Sequence, residues 1–246
     1  MPNILCNKLR FSDIEAVIFD KDGTLENSHY FLKQLTYKIS RLLDAKIPGI
    51  REPLLLAFGL VDDSLDVTGL MAVGSREENI IATAAYIAET GLSWFESKQL
   101  AEQVITQAHK EIRKNKDNSP IFPGVADFLA SLSRYGFKIA ILSADTTANV
   151  QNFLTQHNLR EYIQVAIGGD GDFAKPDPRL YQQTCQKLGV QPSKTIMIGD
   201  SQGDIRMAKQ AQARGTIGIC WHQTTATHLE EADVAIASLQ EIQIYP

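Results

Sequence analysis

The chain has 246 residues, enough for one large domain or two modest ones. Its hydrophobic fraction of 44%, charged fraction of 22% and net charge of −5 are ordinary for a globular protein and give no basic surface for nucleic acid. With no membrane-length apolar stretch, no signal-peptide core in Met1–Arg10 and only three scattered cysteines, we expect a cytoplasmic protein with reduced thiols that binds neither nucleic acid nor membranes.

The first predicted element is a short buried strand that ends in two carboxylates. Ala16–Phe19 is wholly apolar, and it leads directly into Asp20, Lys21, Asp22 and Gly23. Residues i and i+2 of an extended segment point the same way, so Asp20 and Asp22 project together from the strand end. Such a pair repels itself unless a proton or a cation intervenes. It suits a carboxylate nucleophile beside an acid/base with a divalent metal, and the alternative is a polar turn.

A long helical block follows this strand. Apolar residues recur at helical spacing in Ser28–Leu43, Arg76–Glu89 and Ser93–Asn115. We expect a helical cap over residues 26–118, inserted into a core formed by residues 1–25 and 119–246. The polar run Lys114–Pro120 is the predicted hinge back into the core, and the cap is expected to lie over the strand ends as a lid.

Strands and helices alternate in the rest of the chain. The predicted strands are Lys138–Leu142, Gln164–Ile167, Thr195–Ile198, Thr216–Cys220 and Val234–Ile236. The predicted helices are Val125–Tyr135, Thr147–His157, Asp177–Leu188 and Gln202–Ala213. This alternation predicts an α/β fold, a parallel sheet flanked by helices, with ligands at the carboxyl ends of the strands.

Polar residues suited to phosphate chemistry follow two of these strands. Ser143 ends one strand, and the backbone N–H groups of Ala144 and Asp145 lead into a helix, an arrangement that suits an oxyanion. The alternative is that Ser143 or Asp145 is an N-cap. Lys175 precedes a helix that begins at a proline, where its ammonium can neutralise a phosphate or a nucleophile; alternatively it is a solvated surface group.

A second acidic pair follows the strand Thr195–Ile198. Asp200 and Asp204 are four residues apart, so they share a face once the helix begins. Together with the first pair they predict a Mg²⁺ site built from hard oxygen ligands. The alternative is helix capping, with Asp200 or Ser201 as N-cap and Asp204 in the first turn.

In this order, the motifs resemble those of the haloacid dehalogenase (HAD) superfamily, in the subfamily with a helical C1 cap. The matching residues are Asp20-Lys21-Asp22-Gly23-Thr24, Ser143, Lys175-Pro176 and Gly199-Asp200-Ser201-Gln202-Gly203-Asp204. The resemblance extends over Glu15–Leu239. It implies a HAD-like Rossmannoid core with an inserted α-helical cap.

The resemblance also implies roles for the acidic residues. Asp20 would be the nucleophile that forms an aspartyl-phosphate, and Asp22 the acid/base that protonates the leaving oxygen and then activates water. Mg²⁺ would be held by Asp20, the main-chain carbonyl of Asp22, and Asp200. Asp204 would bind the metal through water or anchor a ligand.

The remaining motif residues would bind the transferring phosphoryl group. These are Ser143, Ala144 and Lys175. Lys21 stands where many relatives have an apolar residue, and we expect it to point away from the crevice.

Segments outside the four motifs bear on the substrate. Gly74–Glu78 resembles a cap loop of β-phosphoglucomutases, where Arg76 is a candidate contact for a distal anionic group of the substrate. The alternative for Arg76 is an exposed first-turn residue behind an N-cap at Ser75. Gly168–Asp170, by contrast, resembles phosphoglycolate phosphatases.

Two positions argue against a mutase. A cap histidine of the mutases is Leu32 here, and the fourth motif reads Gly199-Asp200 where theirs reads Glu-Asp. We therefore predict a Mg²⁺-dependent phosphatase that hydrolyses a small phosphorylated metabolite through an aspartyl-phosphate. The alternatives are a phosphosugar mutase of the β-phosphoglucomutase type and a catalytically silent HAD-like binding protein, against which the complete motif set argues.

Overall fold

The computed structural model describes residues 2–221 and 226–245, which fall into two compact units. Met1–Asn27 and Pro120–Pro246 form one, here called the sheet unit, and Ser28–Ser119 forms the other, the helical unit. The strands are β1 (Asn3–Cys6), β2 (Leu9–Phe11), β3 (Ala16–Asp20), β4 (Leu60–Val61), β5 (Ser64–Leu65), β6 (Lys138–Leu142), β7 (Val165–Ile167), β8 (Thr195–Gly199), β9 (Gly215–Ile219), β10 (Val234–Ile236) and β11 (Ile242–Tyr245). The helices are α1 (His29–Asp44), α2 (Arg51–Ala57), α3 (Leu70–Val73), α4 (Arg76–Glu89), α5 (Trp94–Glu111), α6 (Val125–Arg134), α7 (Thr147–Gln156), α8 (Pro178–Leu188) and α9 (Gln202–Gln210).

A parallel six-stranded sheet, in the order β10-β9-β8-β3-β6-β7, forms the centre of the sheet unit. All five residues of β3 are buried, and their side chains alternate between the two faces. Val17 and Phe19 join one apolar cluster, which includes α6 and α7 side chains, whereas Ala16 and Ile18 join a second, which includes α8 and α9 side chains. The predicted α/β fold is confirmed. The carboxyl ends of β6, β3 and β8 are neighbours in this order.

The predicted strands and helices agree closely with the structure, but two helices end several residues early. The expected helix Ser93–Asn115 ends at Glu111, and Gln202–Ala213 ends at Gln210. At the first of these ends, the Asn115 side-chain oxygen accepts hydrogen bonds from the N–H groups of Asp117 and Asn118. This local turn competes with continued helix.

Several elements have no counterpart in the prediction. In the sheet unit, β11, β1 and β2 form an antiparallel sheet that joins the two ends of the chain. In the helical unit, α2, α3 and the β4–β5 hairpin accompany the longer helices. Within residues 2–221 and 226–245, no helix combines the length and apolar character needed to cross a membrane, and Cys6, Cys185 and Cys220 form no disulfide.

Candidate active site

Three carboxylates meet where β3 and β8 end. Asp20 is the last residue of β3, Asp200 follows β8, and Asp204 lies in the first turn of α9. One carboxylate oxygen of each lies within 4.8 Å of those of the other two. Asp204 also completes a capping box, since its N–H donates to Ser201 Oγ at 3.2 Å and its carboxylate accepts from the Ser201 N–H at 3.3 Å. Asp204 therefore belongs both to the capping box of α9 and to the acidic cluster.

Lys175 joins this cluster from the loop before α8. Its ammonium forms an ion pair with Asp20 and another with Asp204, where Nζ and Oδ1 are 2.7 Å apart. Burial opposes the charge of Lys175, but the two carboxylates outweigh it and hold the pKa of the ammonium above its usual range. Lys175 is thus a buried partner of the proposed nucleophile rather than a solvated surface group.

The cluster has an excess of negative charge, because three carboxylates share one ammonium. Burial raises the pKa of Asp20 to about 7 although Lys175 acts in the opposite direction. Burial, and then the charge of Asp20, raises the pKa of Asp200 well above its usual value. Asp20 Oδ2 is buried and accepts no hydrogen bond from any described residue. An orphaned hard oxygen in an under-neutralised acidic cluster fits a divalent cation such as Mg²⁺.

Gly23 allows the turn after β3 to approach Asp200 closely. Its φ is +79°, and a Cβ placed there would lie 1.8 Å from Asp200 Oδ2. Any side chain at this position would therefore displace a carboxylate of the cluster, in addition to straining the backbone.

We expect Gly23→Ala to raise the Mg²⁺ concentration needed for half-maximal activity, because the added methyl group moves Asp200. Gly136→Ala is the matched control: its φ is +82° and nothing lies within 4 Å of an added Cβ, so it imposes similar backbone strain without a clash. A Mg²⁺ titration of both variants tests this. Equal midpoints for the two variants would contradict the expected displacement of Asp200.

Ser143, at the end of β6, lies beside Asp22. Its hydroxyl accepts a hydrogen bond from the Asp145 N–H at 3.1 Å and donates to Asp22 Oδ2 over a long 3.5 Å. Ala144 continues into the loop before α7. The N-cap of α7 is Thr146, whose Oγ1 accepts from the Asn149 N–H, so the capping alternative for Ser143 and Asp145 is wrong.

The prediction that Lys21 points away from the crevice is also wrong. The Lys21 side chain is fully buried, and its ammonium lies 2.6 Å from Asp22 Oδ2, 2.9 Å from Glu26 Oε2 and 3.4 Å from Asp145 Oδ2. A buried ammonium requires nearby carboxylates, and these three supply them. Glu26 belongs to none of the sequence motifs, although a lysine at a position typical of apolar residues signals that a buried partner is needed.

Two further residues make contacts near the site, and no sequence motif indicates either of them. A ring nitrogen of His228 is 3.1 Å from the main-chain carbonyl oxygen of Asp200. Trp221 stacks on Phe122 with ring centroids 4.4 Å apart and donates its indole N–H to the Thr24 carbonyl at 3.1 Å. Both residues belong to the stretch that follows β9, where no motif marks them.

Arg76 lies in the helical unit, as the first residue of α4. Ser75 caps this helix and forms a capping box with Glu78, as the alternative reading predicts. The Arg76 guanidinium donates to Thr106 Oγ1 at 2.7 Å. A contact of Arg76 with substrate stays a prediction.

Sequence comparison links the chain to known hydrolases. The sequence model of a family described as haloacid dehalogenase-like hydrolase matches residues 14–212. Probable phosphatase IndB of Dickeya dadantii is 27% identical over 238 residues, covering 92% of this chain and 90% of that protein. Phosphoglycolate phosphatase of Yersinia pestis is 29% identical over 224 residues, covering 87% of this chain and 84% of that protein.

Solved structures share the fold. A predicted phosphoglycolate phosphatase from Haemophilus somnus superimposes with a TM-score of 0.67 at 21% identity, covering 91% of this chain and 94% of that one. A putative β-phosphoglucomutase from Thermotoga maritima gives a TM-score of 0.62 at 22% identity, with the same coverages of 91% and 94%. At these identities the likeness concerns the fold alone.

Proposed function

Because the chain belongs to the haloacid dehalogenase-like hydrolase family, we propose that it is a Mg²⁺-dependent phosphatase that hydrolyses a small phosphate monoester through an aspartyl-phosphate on Asp20. One observation carries this proposal: Asp20, Asp200, Asp204 and Lys175 converge at the ends of β3 and β8. The names of the sequence relatives, which are phosphatases, support the reaction class.

The reaction needs two displacements at phosphorus. An Asp20 oxygen attacks the phosphorus, the bond to the leaving oxygen breaks, and Asp22 gives that oxygen a proton. Asp22, now ionised, takes a proton from water, and the hydroxide attacks the phosphorus. The bond from phosphorus to Asp20 breaks, so inorganic phosphate leaves and Asp20 is restored. Dividing one hard step into two easier ones is the advantage of a covalent intermediate.

The other residues position and neutralise the phosphoryl group. The Ser143 hydroxyl, the Ala144 N–H and the Lys175 ammonium would hold its oxygens. Asp20, the main-chain carbonyl of Asp22, and Asp200 would hold Mg²⁺, with Asp204 acting through water. When bound, this ion supplies positive charge that offsets the carboxylates and the phosphoryl oxygens.

We assign the role of a cap to the helical unit, residues 26–118 in the sequence prediction. The support is its place in the chain, since it begins just after the turn that carries Asp22. A cap favours small substrates and excludes bulk water. Arg76 is the residue of this unit that we assign to a distal anionic group.

Two observations favour a phosphatase over the mutase alternative. A Cβ at Gly199 would lie 2.6 Å from Asp204 Cβ, so the extra glutamate of the mutase motif does not fit here without displacing Asp204. Leu32 has no proton to exchange, and it packs against the apolar core of the helical unit. The glutamate and the cap histidine that mutases have at these two positions are therefore both missing for transfer of the phosphoryl group to a sugar.

The aspartyl-phosphate is therefore expected to react with water. We would incubate the protein with β-glucose 1-phosphate and a trace of glucose 1,6-bisphosphate, and measure both inorganic phosphate and glucose 6-phosphate. Phosphate release without glucose 6-phosphate is the expected result. Sustained isomerisation with little free phosphate would establish the mutase.

Turnover of p-nitrophenyl phosphate with Mg²⁺ and with EDTA tests the proposed function itself. We expect turnover that requires Mg²⁺, after which a panel of phosphorylated metabolites identifies the preferred substrate. A folded protein that turns over neither the aryl phosphate nor any panel member would support the silent binding protein.

A further inference from the structure

Lys21 is a buried cation placed directly behind the proposed acid/base. Its ammonium lies among the carboxylates of Asp22, Glu26 and Asp145, and 5.8 Å from the centroid of the Phe153 ring. The shortest of the three ion pairs, 2.6 Å, is the one with Asp22. The Glu26 side chain is equally buried, whereas the Asp22 side chain is 21% exposed. The ion cluster thus runs from the interior to the edge of the site.

The backbone hydrogen bonds of the turn that follows β3 do not involve the Lys21 side chain. The Lys21 carbonyl accepts hydrogen bonds from the N–H groups of Leu25 and Glu26, both at 2.9 Å, and the Gly23 N–H donates to the Glu26 carbonyl at 2.9 Å. A buried ion pair is seldom the most stable way to fill such a space, because both charges lose their hydration. Stability of the turn therefore gives little reason for a lysine and a glutamate here.

The need to orient the Asp22 carboxylate, in contrast, does give a reason for a buried lysine and glutamate here. In the proposed reaction, Asp22 must first give a proton to the leaving oxygen and then take one from water, so its carboxylate has to keep one position through both steps. The oxygen Oδ2 faces the Lys21 ammonium at 2.6 Å and the Ser143 hydroxyl at 3.5 Å. Glu26 and Asp145 in turn hold the ammonium in place.

We propose that Lys21 is a positioning residue, which fixes the carboxylate of Asp22 relative to Asp20 and the phosphoryl group. This inference rests on the proposed function, because only there does Asp22 exchange protons. The partners of the Lys21 ammonium are the side chains of Asp22, Glu26 and Asp145, none of which is a Mg²⁺ ligand in the proposed function. Loss of Lys21 should therefore change the chemical steps and leave substrate binding and the Mg²⁺ requirement in place.

The test removes Lys21 together with its fully buried partner Glu26, so that only the partly exposed carboxylates of Asp22 and Asp145 lose their cation. Lys21→Met/Glu26→Leu replaces the pair by two apolar side chains of similar size, and Lys21→Met/Glu26→Gln keeps the shape of Glu26. The matched control is Lys194→Met/Glu15→Gln, which removes a 2.6 Å ion pair beside the opposite end of β3. Thermal unfolding first establishes that each variant folds.

The kinetic readout compares substrates with good and poor leaving groups. We expect kcat for an alkyl phosphate to fall at least about tenfold in both Lys21 double variants, with KM and the Mg²⁺ midpoint nearly unchanged. The loss of kcat/KM, which reports the first displacement alone, should be smaller for p-nitrophenyl phosphate, because its leaving group needs little proton donation. Asp22→Asn should show the same dependence on the leaving group, and the control variant should show none.

Other outcomes separate the two proposals. If wild-type protein has no Mg²⁺-dependent phosphatase activity, the proposed function fails and this inference fails with it. If wild type is active and the folded double variants keep its kcat on both substrates, Lys21 does not position Asp22. An equal loss of kcat/KM on both substrates, or failure of both variants to fold, would show a purely structural role and overturn the inference.

Discussion

Asp20→Asn is expected to lower turnover by more than about a hundredfold while the fold stays intact. An amide does not attack phosphorus as a carboxylate does, and it ligates Mg²⁺ poorly. The structure places Asp20 at the end of a fully buried strand, in contact with Lys175 and beside Asp200 and Asp204. No neighbouring carboxylate makes all of these contacts, so we expect none of them to act as the nucleophile in place of Asp20.

Steady-state turnover of an aryl phosphate at saturating Mg²⁺, together with thermal unfolding, measures both parts of this expectation. Asp127→Asn, at an exposed carboxylate of α6, is the control for loss of one negative charge and should keep wild-type activity. Retention of more than about a hundredth of the wild-type rate by Asp20→Asn would show that Asp20 is not the nucleophile.

The second large effect is expected from Asp200→Asn, on Mg²⁺ dependence and on stability together. At Mg²⁺ concentrations that saturate wild type, activity should fall by more than about a hundredfold, because the variant loses a charged ligand. Without Mg²⁺, however, the variant should be more stable than wild type at neutral pH. Burial and the charge of Asp20 raise the pKa of Asp200 in the folded state, so ionising this carboxyl costs the folded protein free energy that it does not cost the unfolded chain.

The sign of the pH dependence follows from this difference. Since the folded pKa of Asp200 lies above the unfolded one, metal-free wild type loses stability as pH rises from about 4 through the folded pKa. We expect Asp200→Asn to remove the contribution of Asp200 to this loss of stability. In wild type, bound Mg²⁺ should offset the same contribution.

Urea unfolding of both proteins at about pH 5 and about pH 8, with and without Mg²⁺, tests the expectation. The variant should show a smaller fall in unfolding free energy with pH and little stabilisation by Mg²⁺. Equal stabilisation of both proteins by Mg²⁺ would mean that Asp200 is not a ligand.

The sequence predicts the sheet and its acidic edge well because both depend on local patterns. Apolar runs such as residues 139–142 form buried strands, and the register of a parallel sheet then brings their carboxyl ends together. The acidic residues that follow β3 and β8 thus become neighbours without any knowledge of side-chain packing. The β1–β2–β11 sheet escaped prediction because β11 pairs with β1 from the other end of the chain.

Side-chain direction is the part that local patterns do not specify. The sequence favours a Lys21 side chain that points away from the crevice, but Glu26 and Asp145 hold its ammonium behind Asp22. Asp145 is far away in sequence, so its contribution follows only from the packing of β6 beside β3. The role of Thr146 as the N-cap of α7 depends similarly on the course of one loop.

Trapping the covalent intermediate tests the proposed mechanism most directly. Asp22→Asn should slow attack by water more than formation of the aspartyl-phosphate from p-nitrophenyl phosphate, whose leaving group needs little proton donation. After acid quenching, borohydride reduces an aspartyl-phosphate to homoserine, and peptide mass spectrometry locates the changed residue. We expect Mg²⁺-dependent conversion at Asp20 and at no other aspartate. Turnover with no conversion, or conversion at a different aspartate, would contradict this mechanism.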